Sequence, residues 1–147
     1  MTMPIRRALL DVNVLIALLD PDHSSHEAAM SWFAKYAPSG WASCPITQNG
    51  CVRVMSSPGY PKPLPPQAVM RRLGEACEDE VHEFWSDDVS LLDRRLVDST
   101  RIHGPRQLTD VYLLALAVRH RARFVTFDSG VPLEAVRGAT SEHRVVL

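Results

Sequence analysis

Three aspartates sit where strands stop or helices start, and together they could hold a metal ion. Asp11 closes the apolar run Ala8-Leu9-Leu10. Asp128 closes Arg123-Phe124-Val125-Thr126-Phe127, and Asp110 lies at the head of a long apolar stretch from Leu108 to His120. Carboxylates gathered at one place repel one another, and a hard divalent cation relieves that repulsion. Such an ion can polarise a phosphoryl oxygen and activate a water. Each aspartate also has a plain structural role open to it. Asp11 could cap the helix that follows, Asp110 could favour the positive end of its own helix, and Asp128-Ser129-Gly130 could be a turn. Asp110 separates the readings best, because its helix is apolar on nearly every side and a carboxylate there calls for a polar cleft.

The elements that must position these groups alternate. Strands are expected at Ala8–Leu10, 41–44, 81–85, 123–127 and 144–147. Helices are expected at Val12–Leu19, from Ser24 to Tyr36, at 46–55, 67–77, around 91–97, and at 108–120. The segment 56–66, rich in Ser, Gly and Pro, reads as a surface loop or a partner-binding segment. Strand–helix alternation in one small chain predicts a parallel sheet flanked by helices on both faces. Ligands of such sheets bind at the carboxyl ends of the strands, where Asp11 and Asp128 stand.

Composition bounds the rest. The 147 residues suffice for one domain, residues 1–147, with 46% hydrophobic and 22% charged residues. A net charge of -1 supplies no global field for nucleic acid, although a local basic rim is allowed. Cys44, Cys51 and Cys77 form no CxxC pair and read as core residues of a cytoplasmic protein. Met1–Arg7 carries no signal-peptide core, and no stretch is long enough to span a membrane. The absence of a glycine-rich phosphate loop argues against a nucleotide-binding enzyme, and the absence of a Gly-x-Ser-x-Gly elbow against a serine hydrolase. A receiver-type signalling domain would need paired acids after the first strand and a late lysine, yet no lysine follows Lys62.

Four blocks carry a family resemblance: Leu9-Leu10-Asp11-Val12-Asn13-Val14-Leu15-Ile16, Thr47-Gln48-Asn49-Gly50-Cys51-Val52-Arg53-Val54, Leu108-Thr109-Asp110 through Ala117, and Thr126-Phe127-Asp128. In this order they closely resemble a PIN domain of the VapC type, the ribonuclease toxins of VapB–VapC toxin–antitoxin pairs. The resemblance implies a Rossmann-like three-layer α/β sandwich with a mainly parallel sheet. It also implies Mg²⁺- or Mn²⁺-dependent endoribonuclease activity leaving 5′-phosphate and 3′-hydroxyl ends, a cognate VapB-type antitoxin, and a toxin homodimer. Asp11, Asp110 and Asp128 match the family's acidic positions. Asn13 matches a polar position beside the first of them, where it would hold the carboxylate or a bound water. Many PIN domains have a glutamate where this chain has Gly50, which implies weaker metal binding. Gln48 and Asn49 alongside offer only neutral amides. The alternative is a weakened PIN domain that binds RNA or protein without cutting.

Several further residues could contribute. Asp87 or Asp88 could replace the missing charge, or cap a following helix. Arg106 and Arg53 are candidate RNA phosphate contacts, Arg106 the better placed. Arg119, Arg121 and Arg123 close the apolar helix, where cations also suit its dipole. His103 could assist proton transfer, and the other histidines lack zinc spacing. Trp32, Phe33 and Tyr36 share one helix face, for core packing or for a partner helix.

Overall fold

A computed structural model describes residues 7–147. The reading of the first six residues lies outside them. Five short strands form one sheet in the order β3-β2-β1-β4-β5, with β1 at Ala8–Leu10, β2 at Trp41–Ser43, β3 at His82–Phe84, β4 at Arg123–Thr126 and β5 at Arg144–Val146. Every pairing in this sheet is parallel. The five helices are α1 (Val12–Leu19), α2 (His26–Tyr36), α3 (Pro45–Met55), α4 (Pro66–Ala76) and α5 (Leu108–Arg119).

Strand periodicity sorts the core into two layers. Leu9, Ala42 and Phe124 point to one face, where they meet Val111 and the Leu113–Ala117 run of α5. Their neighbours Ala8, Leu10, Trp41 and Val125 point to the other, against residues of α1, α2, α3 and α4. The result is the expected three-layer sandwich. Strands buried on both faces explain why β1 is apolar throughout and why Phe124 and Val125 stand side by side in β4 without polar alternation.

Trp32, Phe33 and Tyr36 belong to this second layer, which gives them the packing role. Trp32 is buried, and the Phe33 ring meets Trp41 edge-on at 5.4 Å between centroids. Cys44 and Cys51 are buried and Cys77 half-buried, all as free thiols.

One expected element does not form. Residues 91–97 are turns and not a helix, so Asp87 and Asp88 cap nothing there. Local side-chain bonds win over the helix: Ser90 Oγ accepts from the Leu92 N–H at 3.0 Å, and Asp93 Oδ1 from the Arg95 N–H at 3.0 Å. Val97 then pairs antiparallel with Val136. Asp88 instead meets His120 Nε2 at 3.3 Å, and the His120 ring stacks on Trp85.

The chain lays β2 and β3 to one side of β1, and β4 and β5 to the other. The strand order therefore reverses between β1 and β4. In an open parallel sheet the connections diverge at such a point and leave a crevice beyond the strands' carboxyl ends.

Candidate metal centre

Asp11 is the residue after β1, at the mouth of that crevice, and is only 6% exposed. Its own N–H is held by the Val125 carbonyl of β4 at 2.9 Å, which ties the two strand ends together. Its carboxylate is held at both oxygens. Oδ1 accepts from the Val12 N–H at 2.7 Å, and Oδ2 accepts from the Thr126 hydroxyl at 2.6 Å. Asp11 thus serves as the N-cap of α1 and as a member of the site at once. Burial raises its pKa, the Thr126 and Val12 bonds oppose that rise, and the negative charge of Asp128 adds to it.

Thr126 is the site residue that motif reasoning passed over. It ends β4, is fully buried, and spends its whole hydrogen-bonding capacity here. Its hydroxyl donates to Asp11, accepts from the Asp128 N–H at 3.0 Å, and receives a long contact from Asn13 Nδ2 at 3.5 Å. The available signal was a hydroxyl side chain directly after the buried apolar pair Phe124-Val125. Replacing it with the isosteric valine should leave Asp11 Oδ2 and the Asp128 N–H without their partner. The expected cost is about 1–3 kcal/mol in denaturant unfolding, with the Asp11 pKa pushed higher still. Thr126→Ser should retain most of both; equal stability of the valine variant and wild type would remove Thr126 from the site.

Asp110 lies in the first turn of α5 and is half-buried. Its pKa is pushed up to about 7. Desolvation is the main cause, followed by the charge of Asp11 and by a side-chain hydrogen bond with Asp128 and its charge. Asp128 itself is exposed and forms the expected turn, its Oδ1 accepting from the Gly130 N–H at 2.7 Å. Asp11 and Asp128 thus fill the cap and turn roles open to them, and Asp110 stands in the first turn of its helix.

A divalent cation suits this donor set. Neighbouring carboxylate charge raises the proton affinity of Asp11 and Asp110, and Asn13 Oδ1 is buried with no hydrogen-bond partner. An orphaned amide oxygen on the side chain that reaches Thr126, the hydroxyl partner of Asp11, suits a metal-bound or bridging water. Among the described residues no three His, Cys, Asp or Glu side chains stand close enough together to hold a metal ion by themselves. Mg²⁺ does not require three, since it keeps several waters and uses one or two carboxylates.

Gly50 does not simply lack a carboxylate. A Cβ there would come within 2.7 Å of Val12 Cγ2, so α3 and α1 meet too closely at this point for any side chain. Gln48 and Asn49 do not substitute. Together with Arg53 they line a cavity of about 590 Å³ between α3 and α4, and Gln48 Nε2 donates to Ser43 Oγ at 3.0 Å. Asp87 neighbours Cys44 and Tyr112, and Asp88 pairs with His120, so neither is drawn into the aspartate group. Arg106 is exposed in the 3-10 turn Pro105–Gln107 that leads into α5, and His103 is exposed just before it.

A three-layer parallel α/β fold with an acidic centre at its topological switch defines the class of protein. The family model of the PIN domain matches residues 8–138, and the chain belongs to that family. Over 96% of its length it is 55% identical to Ribonuclease VapC44 of Mycobacterium tuberculosis (strain ATCC 25618 / H37Rv), and the match covers 99% of that protein. It is 46% identical to Ribonuclease VapC38 of the same strain over 84% of this chain and 86% of that protein. It is 40% identical to that strain's Ribonuclease VapC39 over 89% of this chain and 95% of that one.

Proposed function

We propose that this chain is a VapC-type toxin: an Mg²⁺- or Mn²⁺-dependent endoribonuclease restrained by a VapB-type antitoxin. The observation that carries the reading is that Asp11 and Asp128, just after β1 and β4, act electrostatically on Asp110 in the first turn of α5, whose pKa burial and these two charges raise to about 7. The ribonuclease names of relatives matched over most of the chain support it.

In this reading Asp11 and Asp110 hold the cation, Asp128 does so directly or through water, and Asn13 orients a water with its free Oδ1. The cation, when bound, polarises the phosphodiester and activates the water that hydrolyses it. The chain's own work is preorganisation. Thr126 and the Val12 N–H fix both oxygens of Asp11, and the Gly130 N–H fixes Oδ1 of Asp128, before any substrate arrives. Arg106, exposed and four residues ahead of Asp110, is the candidate phosphate contact. Arg53, on the α3–α4 cavity, belongs to a more remote surface. A homodimer and a cytoplasmic setting complete the proposal. No helix among the described residues is long and apolar enough to cross a membrane.

The decisive experiment maps RNA 5′ ends after induction of this chain and of its Asp11→Asn variant. New 5′-phosphate ends are expected with the wild type and none with the variant. Identical maps from the two would sink the proposal. The close contact at Gly50 favours a second reading, in which a site limited to three acids binds RNA or protein without cutting. That reading wins if wild type neither binds Mn²⁺ at millimolar concentration nor cuts RNA.

A further inference from the structure

We infer that Gly50 is a positioning residue for the Asp11 carboxylate, acting through Val12. The inference deepens the reading of the aspartate site as a metal centre, and its readouts do not depend on cleavage. Glycine inside a helix costs about 1 kcal/mol relative to alanine, so its place in α3 needs a reason. Backbone conformation does not supply one, because the glycines of positive φ are Gly40 and Gly138. Crowding does. A Cβ at Gly50 would lie 2.7 Å from Val12 Cγ2 and 3.4 Å from its Cγ1, whereas Gly59, Gly74 and Gly104 have nothing within 4 Å.

Val12 cannot yield cheaply. It is β-branched and stiff at χ1, and the atoms in the way are one bond from its Cβ. Relief must come from movement of its main chain. That main chain carries the N–H that holds Asp11 Oδ1 at 2.7 Å. The next residue, Asn13, reaches Thr126 Oγ1 with Nδ2 and keeps its Oδ1 buried without a partner. A shift of Val12 therefore changes the bonds to Asp11 and the aim of Asn13 together. The bare face of Gly50 lets α3 seat the first turn of α1 where both are correctly directed.

The test compares Gly50→Ala, Val12→Ala and the double variant in the full chain. The readouts are the thermal midpoint without metal, the carboxyl titrations of Asp11 and Asp110 followed by ¹³C NMR, and Mn²⁺ affinity by calorimetry. Gly50→Ala should displace the Asp11 titration and weaken Mn²⁺ binding about 10- to 100-fold, as loss of an outer-shell support does. The double variant should return both to the level of Val12→Ala alone. A lower midpoint with unchanged titrations would make Gly50 a packing residue only and overturn the inference. So would a double variant that recovers nothing. Should Gly50→Ala not fold, the double variant decides: folded with the carboxyl titrations of Val12→Ala it supports the coupling, and unfolded it refutes it. The titrations need no cation, so wild-type protein that cuts no RNA would defeat the proposed activity and leave this inference standing or falling separately.

Discussion

Asp110→Asn should abolish RNA cleavage, by on the order of 10³-fold or more, and yet make the metal-free protein more stable at pH 8. The first effect follows from removing a principal charge from the cation site, where stabilisation of the reacting phosphoryl group is worth several kcal/mol. The second follows from linkage. The folded protein raises Asp110 from 3.8 to about 7, so between these values the native state binds a proton that the unfolded chain has lost. The contribution of this group to stability is therefore complete below about pH 4 and is lost as pH rises through 7. Above that, the folded state must keep a carboxylate near Asp11 and Asp128. The shift corresponds to at most about 4 kcal/mol, and solvent screening of a half-exposed carboxyl reduces the expected gain to about 1–2 kcal/mol. Asparagine removes the charge and keeps the shape. Thermal unfolding from pH 5 to 8 in chelator should show a falling midpoint in wild type and a flatter profile in the variant. A variant that cuts RNA at the wild-type rate, or that is destabilised across this whole range, would contradict the role assigned to Asp110.

Chelation is expected to extinguish cleavage, and Mn²⁺ or Mg²⁺ to restore it with an affinity that depends steeply on pH. Metal must displace the proton that Asp110 holds below about pH 7. Apparent affinity should thus rise about tenfold per pH unit from 5 to 6.5 and level off above 7.5, with about one proton released per ion bound in the lower range. Calorimetry in two buffers of different ionisation enthalpy counts that proton. The Asp110→Asn variant should show weak, nearly pH-independent binding. Binding to wild type that is equally tight at pH 5 and pH 8 would show that the ion does not engage Asp110. The same linkage predicts that bound Mn²⁺ reverses the alkaline loss of stability, since the cation replaces the proton as counter-charge for the three acids.

Much of this centre was legible in the sequence because its parts are local. Asp11 and Asp128 each follow a run of strand-forming residues, and Asp110 interrupts an apolar helix; periodicity alone puts each at the end of an element. The order of strands and helices then gave a parallel sheet, and such sheets bind ligands at their carboxyl edge. The expected helix at 91–97 failed for an equally local reason. Leu91, Leu92, Leu96 and Val97 suggest a helical face, but Ser90 and Asp93 bond to nearby N–H groups and hold the segment in turns. Apolar spacing does not report that competition.

What the sequence alone determined about the three aspartates is their type, their order and their edge of the sheet. What only the tertiary structure decided is how they are coupled. Asp11 and Thr126 are 115 residues apart and meet because β1 and β4 pair in parallel register. The pKa of Asp110 is set by burial and by two other carboxylates, which no single-residue pattern encodes. The clearest case is Gly50. In the sequence it is an acid that is missing. In the fold it is a place where a Cβ would lie 2.7 Å from Val12 Cγ2, one residue from the Asp11 carboxylate. Packing between distant segments assigns such meanings, because it depends on distances that the order of residues does not contain.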